Sequence, residues 1–266
     1  MTQASPLASP LAWNLVAPGY TELSLPLFAA FADDALTLAA LPERAHIADI
    51  ATGPGTLAIE AVQRGHRVEA LDFSRDMLDI LAQRAQGLSH LVAREGDGQA
   101  LPYADGQFDA AFSLFGLMFF PDRARGFAEL YRVLKPGGRA VVSSWQANPE
   151  QPVFNAVFQA LREALPDLPK GGGAPPLSDG DTFIAEMSAA GFDVSLHPRS
   201  HRVEESDIST LWQGMQRSFA PVVLLRHKLG DPVFAPAAEA VENYLVERFD
   251  GPITIEMPAW LAVGVA

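Results

Sequence analysis

The chain has 266 residues, 48% of them hydrophobic, which is enough to bury a sizeable core in one domain with a lid or in two. Its net charge is -13, with no basic run to reverse it locally; this argues against a nucleic-acid backbone or an anionic membrane surface as partner. Cysteine is absent, which removes disulfides, thiolate nucleophiles and cysteine metal sites, and no basic-then-apolar leader or bilayer-length apolar run is visible, so the expectation is a soluble cytoplasmic protein.

Residues 1–10 read as a Ser/Pro-rich tail without structure, and residues 21–41 as helix broken by Pro26. A regular alternation follows. "AHIADIA" is a short buried strand, "GTLAIEAVQRG" a helix closed by Gly65, "HRVEALDFS" a strand, and "SRDMLDILAQRAQG" a helix with Ser74 as N-cap and Gly87 as its close. "LSHLVARE" is a third strand, and "GQFDAAFSLFGLMFF" contains a fourth. "PDRARGFAELYRVLKPGG" is a helix ended by Pro136-Gly137-Gly138, and "RAVVSSWQ" is a fifth strand. Apolar strands that hardly alternate, separated by helices, predict a parallel sheet covered on both faces.

Past residue 150 the pattern changes. "PVFNAVFQALREAL" and "DTFIAEMSAAGF" are helices around a mobile Gly/Pro loop, "DVSLHPRS" is a strand, and helices follow near 206–220 and 236–248. "ITIEMPAWLAVGVA" is a last strand interrupted at Met257-Pro258 and expected to rejoin the sheet. The expectation is one domain, 1–266, with a tail and lid helices in 1–45, a cofactor half in 46–150, a substrate and lid region with inserted helices in 151–250, and the last strand in 251–266.

Gly53-x-Gly55-x-x-Ala58, between the first strand and its helix, fits the dinucleotide fingerprint in its G/A form. Such a turn brings backbone N–H groups against a ligand at a helix N-terminus. It does not name the ligand. Asp49, under the turn, would repel a pyrophosphate and suit an ammonium or a ribose; its plainer reading is a carboxylate satisfied by backbone N–H groups. Asp72 closes the second strand, where a carboxylate can take both ribose hydroxyls. Asp97 follows the third strand between Gly96 and Gly98, as if the chain passed over a flat ring; an Asx turn is the alternative.

"DIATGPG", "ALDFSRDML", "GDGQALPYADGQFDAAFSLFGLMFFPD" and "ELYRVLKPGG", in this order and spacing, resemble the class I S-adenosylmethionine-dependent methyltransferases, closest to the ubiquinone and menaquinone biosynthesis group. The resemblance implies an α/β, Rossmann-like seven-stranded, mainly parallel sheet of order 3-2-1-4-5-7-6 with the last strand antiparallel, helices on both faces and a helical lid. It implies that Asp49, Ala51, Gly53 and Gly55 hold the methionine part of S-adenosyl-L-methionine. Asp72 would hold the ribose, with Phe73 and Met77 beside the adenine and Asp97 and Gly98 along it, while Ser113, Leu114 and Phe115 face both cofactor and substrate. Ala51 and Pro54 depart from the family: alanine calls for a negative φ there, and proline removes an N–H donor.

Methyl transfer is an in-line displacement that needs orientation and water exclusion, with a base only where the acceptor must lose a proton. Trp13, Tyr20, Phe115, Met118, Phe119, Trp145 and Trp212 are candidates for an apolar pocket; core packing is at least an equal reading for most of them. No histidine stands out as a catalytic base, and no carboxylate–histidine cluster points to a metal. The expectation is a small-molecule methyltransferase without nucleic-acid or membrane partner, its oligomeric state open to a homodimer. A nicotinamide-dependent oxidoreductase is the first alternative, weakened by Asp49, by the lack of a Tyr-x-x-x-Lys pair and by the unexplained "LKPGG". A non-catalytic binding protein of the same fold is the second.

Overall fold

The computed structural model describes residues 5–148, 151–168 and 174–266. In chain order it holds α1 (Pro10–Leu23), α2 (Leu25–Ala39), β1 (His46–Ile50), α3 (Thr56–Gln63), β2 (Arg67–Asp72), α4 (Arg75–Arg84), β3 (Leu91–Glu95), β4 (Phe108–Leu114), α5 (Arg123–Val133) and β5 (Leu134–Trp145). There follow α6 (Pro152–Ala164), α7 (Gly180–Ala189), β6 (Asp193–Glu205), α8 (Ile208–Ser218), α9 (Ala220–Leu229), α10 (Asp231–Val246) and β7 (Ile253–Val265). The seven strands form one sheet of order β3-β2-β1-β4-β5-β7-β6. β1 to β5 pair in parallel, and β7 runs antiparallel to both β5 and β6. The strand order reverses between β1 and β4, and that crevice at the strands' carboxyl ends is where open α/β sheets bind ligands.

Several elements differ from the sequence reading. Residues 1–4 of the expected tail lie outside the described residues, but a 3-10 turn forms at Pro6–Ala8 and α1 starts at Pro10. The prolines that suggested disorder sit at helix N1 positions, where a missing N–H costs nothing, and Ser9 caps α1. Pro26 likewise stands in the first turn of α2 and does not break a helix; the chain turns at Ser24. "LKPGG" belongs to β5, since α5 already stops at Val133; Gly137 takes φ +77 and donates to the Ala266 carbonyl at 2.8 Å. The predicted mobile loop falls partly on residues 169–173, outside the described residues.

Met257-Pro258 does not interrupt β7. β5 ends its pairing at Trp145 opposite Ala259, one residue short of Pro258, so no ladder bond is asked of the missing N–H. The Pro258 carbonyl, on that same side, accepts from Gln146 N at 3.0 Å. Beyond this point β7 and β6 continue alone as a two-stranded ribbon, Ser200↔Pro258 to Glu205↔Ile253. The ribbon carries α8, α9 and α10, the second of which the sequence reading missed. Val157, Trp212, Phe234, Val241 and Ile255 form a hydrophobic cluster there, separate from the main core of Phe31, Ile47, Phe112, Phe127 and Val141 around the sheet.

Candidate functional site

The loop after β1 is shaped by left-handed backbone at Ala51 (φ 57), Gly53 (φ 55) and Gly55 (φ 78). For Gly53 and Gly55 this conformation is free of Cβ strain, whereas for an alanine it costs about 1–2 kcal/mol. The expected negative φ at Ala51 is therefore wrong. Gly116, across the crevice, explains why the loop tolerates the methyl group: a Cβ on Gly116 would stand 2.4 Å from that of Ala51. The two loop glycines serve different purposes. A Cβ on Gly55 would strike Leu81 of α4 at 2.1 Å, while one on Gly53 would meet nothing within 4 Å. Gly55 permits helix packing; Gly53 faces open space at the cleft.

Two carboxylates hold this loop. Asp72, at the end of β2, accepts from Gly53 N at 2.7 Å with Oδ2 and from Ser74 N at 2.8 Å with Oδ1. Asp49, at the end of β1, accepts from Thr52 Oγ1 at 2.6 Å. From behind, Arg84 donates to the Pro54 carbonyl. Burial pushes the Asp49 carboxyl up to about 7, with the Asp72 charge adding to the rise and the Thr52 bond opposing it. Burial also lifts Asp72 to about 6, against the N–H bonds that favour its charged form.

A cleft enclosing about 190 Å³ lies between this loop, the ends of β2 and β4, and α1. Asp72, Phe73, Met77, Asp97 and Gly98 line it together with Trp13, Tyr20, Phe115 and Phe119. A smaller lobe shares Tyr20, Ala51, Gly53 and Leu114 with the cleft and leads to Asp49 and Thr52. The rings form a continuous aromatic wall: Trp13 packs on Tyr20 (6.4 Å) and Phe119 (5.5 Å), and Phe28 on Tyr20 (5.2 Å) and Phe115 (5.3 Å). None of the described lining residues of cleft or lobe is Lys, Arg or His. Burial and the Asp72 charge raise the Tyr20 phenol above the ordinary tyrosine range, so it stays protonated.

Several predicted residues stand elsewhere. Ser113 is fully buried and accepts from Leu117 N at 3.1 Å, holding the turn after β4 rather than lining the cleft. Met118 is packed in the main core. Trp145 stacks behind Phe115 at 4.0 Å. Trp212 is fully buried in the second cluster, its indole N–H donating to the Ala238 carbonyl at 3.1 Å, because α8 turns it away from the cleft. Gly98 leaves room for protein and not directly for a flat ligand: a Cβ there would meet Phe120 at 2.4 Å. Asp97 does form the Asx-type turn, accepting from Gln99 N at 2.8 Å, and still lines the cleft.

The sequence reading missed Leu7, Ala8, Phe28 and Phe120. Leu7 and Ala8 join the wall because the Trp13 indole N–H donates to the Leu7 carbonyl at 2.9 Å, folding the segment before α1 over the cleft. Composition masked that contact. Phe120 closes the apolar run "GLMFF" after the fourth strand, from which the sequence reading took only Met118 and Phe119 as pocket candidates.

The fold and this crevice define a nucleotide-type ligand site at the switch point of an α/β sheet whose penultimate position is an antiparallel β7. A family model described as a methyltransferase domain matches residues 48–142. A demethylmenaquinone methyltransferase of Thermus thermophilus is 37% identical over 174 residues, 60% of this chain and 78% of that protein. One of Deinococcus radiodurans is 43% identical over 136 residues, 49% of this chain and 55% of that protein. Among solved structures, the YcgJ protein of Bacillus subtilis aligns over 91% of this chain and 97% of its own with TM-score 0.60 at 20% identity, a likeness of fold. The chain belongs to the class I S-adenosylmethionine-dependent methyltransferases and is homologous to the demethylmenaquinone methyltransferases among them. The nicotinamide alternative falls with this assignment. The match spans only 55% and 52% of the first curated relatives, so their acceptor does not come with it.

Proposed function

We propose that the protein transfers the methyl group of S-adenosyl-L-methionine directly to a small, partly apolar acceptor. The observation that carries this reading is a pair of adjoining cavities sharing Tyr20, Ala51, Gly53 and Leu114, with the carboxylate-held glycine loop in both, Asp49 in the smaller and the Trp13 and Phe119 rings in the larger. The donor set fits the cofactor. Each Asp72 oxygen spends one lone pair on a loop N–H and keeps others for the ribose hydroxyls. Gly53 leaves open the space a side chain would fill, so backbone can approach the ligand. Asp49 is placed for the ammonium of the methionine part, and Phe73, Met77 and Asp97 for the adenine.

When bound, the cofactor supplies an electrophilic methyl group on a positively charged sulfur. The chain's own residues orient the acceptor against it and exclude water, the role we assign to Trp13, Tyr20, Phe115 and Phe119. No single helix among the described residues is long and apolar enough to cross a membrane. We place the reaction in the cytoplasm and on a small molecule rather than a nucleic acid, in line with the net charge of -13. Titration calorimetry with S-adenosylmethionine, S-adenosylhomocysteine and NAD tests the reading: the first two bind and NAD does not. Absence of heat from the first two at millimolar concentration would overturn it.

A further inference from the structure

The two cavities of the site meet at Tyr20, Ala51, Gly53 and Leu114, the described residues that line both. Asp72 lines only the larger cavity and Asp49 only the smaller. On the reading above, the ribose is held in the first and the methionine ammonium in the second. Sulfur joins those two parts of the cofactor covalently, so the sulfonium has to lie in the neck between the cavities. The side chains of the neck are then the ones nearest the reacting methyl group. Gly53 brings backbone there, Ala51 and Leu114 bring saturated carbon, and Tyr20 brings an aromatic ring.

That ring is fixed in place. Trp13 and Tyr20 stand two turns apart on α1 and so share one of its faces. Tyr20 meets Trp13 edge-on with centroids 6.4 Å apart, and stacks on Phe28 of α2 at 5.2 Å with 19° between the planes. Its backbone carbonyl accepts from Ser24 N at 3.0 Å, where the chain turns into α2. Burial, and after it the Asp72 charge, keeps the phenol neutral, so Tyr20 stands within electrostatic reach of Asp72 while lining the cavity that holds Asp49.

A neutral ring attracts a cation through its quadrupole, most of all where water is excluded. A sulfonium taken out of water without such a partner is penalised. Once the methyl group has left, the sulfur is an uncharged thioether and the attraction is gone. A contact of this kind is made with the bound cofactor before any reaction, so it decides which form occupies the site rather than how fast the step runs.

We propose that the Tyr20 ring contacts the methylsulfonium in the neck and makes the site prefer the charged cofactor over its uncharged product. This rests on the methyl-transfer reading and adds a cofactor contact to the acceptor-facing role given to Tyr20 above.

The test is calorimetry on the full chain, at one pH above the Asp49 and Asp72 values of about 7 and about 6, so that both carboxylates stay charged throughout. S-adenosylmethionine is compared with its uncharged carbon isostere, in which CH–CH3 replaces the methylsulfonium, on the wild type, Tyr20→Phe, Tyr20→Leu and Tyr20→Met. The two ligands share a shape and differ in charge, so a variant that merely loosens α1 weakens both alike, and the ratio of affinities reads the ring. Tyr20→Phe, which keeps the ring on Phe28, is expected to hold the wild-type ratio to within about twofold. Tyr20→Leu and Tyr20→Met, two ringless side chains of different shape, are each expected to lower the charged ligand's advantage by about fivefold or more. An unchanged ratio in either ringless variant that folds, or a ratio lost as fully in Tyr20→Phe, overturns the proposal. A wild type that does not bind S-adenosylmethionine sinks the methyl-transfer reading itself, whereas binding with an unchanged ratio sinks the ring contact alone.

Discussion

Ala51 and Gly116 make one joint at the centre of the cleft. The Ala51 methyl group has room because the facing residue has no side chain, so each position limits the other. Gly116→Ala is expected to cost about 1–3 kcal/mol through overpacking, and a second change, Ala51→Gly, to recover most of it in a denaturant titration. A cycle in which the two effects simply add would show that the methyl groups do not meet. The sign of φ at Ala51 could not be read from the sequence, because alanine ordinarily avoids left-handed backbone and the room for its methyl group is supplied by the loop after β4. Gly53 and Gly55 were legible as a pair. Their division of labour was not, since it depends on Leu81 reaching one of them from α4.

The buried carboxylates set a pH dependence at the same scale. Asp49 and Asp72 rise from 3.8 to about 7 and about 6, so between those values the folded protein binds more protons than the unfolded chain. The stability they contribute is complete below pH 3.8 and is lost as pH rises through about 6 and about 7. His66, which burial holds low, pulls the other way, so the difference against Asp49→Asn isolates the effect. At pH 7.5 the ligand-free Asp49→Asn variant should melt higher than the wild type, by on the order of 5 °C, with the gap closing towards pH 5. A variant that melts lower than wild type at pH 7.5 contradicts the account. Binding of a cationic ligand favours the charged carboxylates, so wild-type affinity for S-adenosylmethionine should weaken about tenfold per pH unit between about 7 and about 6, and up to about a hundredfold per unit once pH falls below both values.

Among the elements, α1 governs access to the cleft. It reaches across to α8 through Gly19, where a Cβ would stand 2.3 Å from the Arg217 carbonyl oxygen, so the two helices approach backbone to backbone. On its other side Asn14 meets Ser74, the N-cap of α4, at 2.6 Å. Gly19→Ala should push α1 off α8, speed amide exchange in α1 while leaving the sheet protected, and weaken cofactor binding several-fold. Unchanged affinity with α1 visibly loosened would remove α1 from the site. The central elements from β1 to β4 were legible because apolar runs, capping residues and glycines agreed on their order and type. α1 was not, because prolines at N1 look like disorder in composition, and "LKPGG" was assigned to a helix end because its strand bonds come from Ala266 at the far end of the chain.

On the scale of the whole molecule, the sheet and the inserted helices have separate cores joined through the β6–β7 ribbon, and the cleft is finished by α1, which leans on the insert. That arrangement explains why the cofactor side was legible and the acceptor side less so. The cofactor side is built from short-range strand, loop and helix units, whereas the aromatic wall is assembled from α1 and the segment before it, from α2 and from the turn after β4. Trp212 misled for the same reason: an aromatic residue on an inserted helix can face either core.

The central claim is that Asp72 holds a ligand ribose at the switch point. Titrating wild type and Asp72→Ala with S-adenosylhomocysteine and with its 2′-deoxy analogue measures this directly. The account predicts that the wild type loses at least tenfold in affinity on removal of the hydroxyl, that Asp72→Ala loses at least tenfold for the intact ligand, and that the variant barely distinguishes the two. Equal wild-type affinity for both ligands, or unchanged binding of the intact ligand by Asp72→Ala, would contradict it.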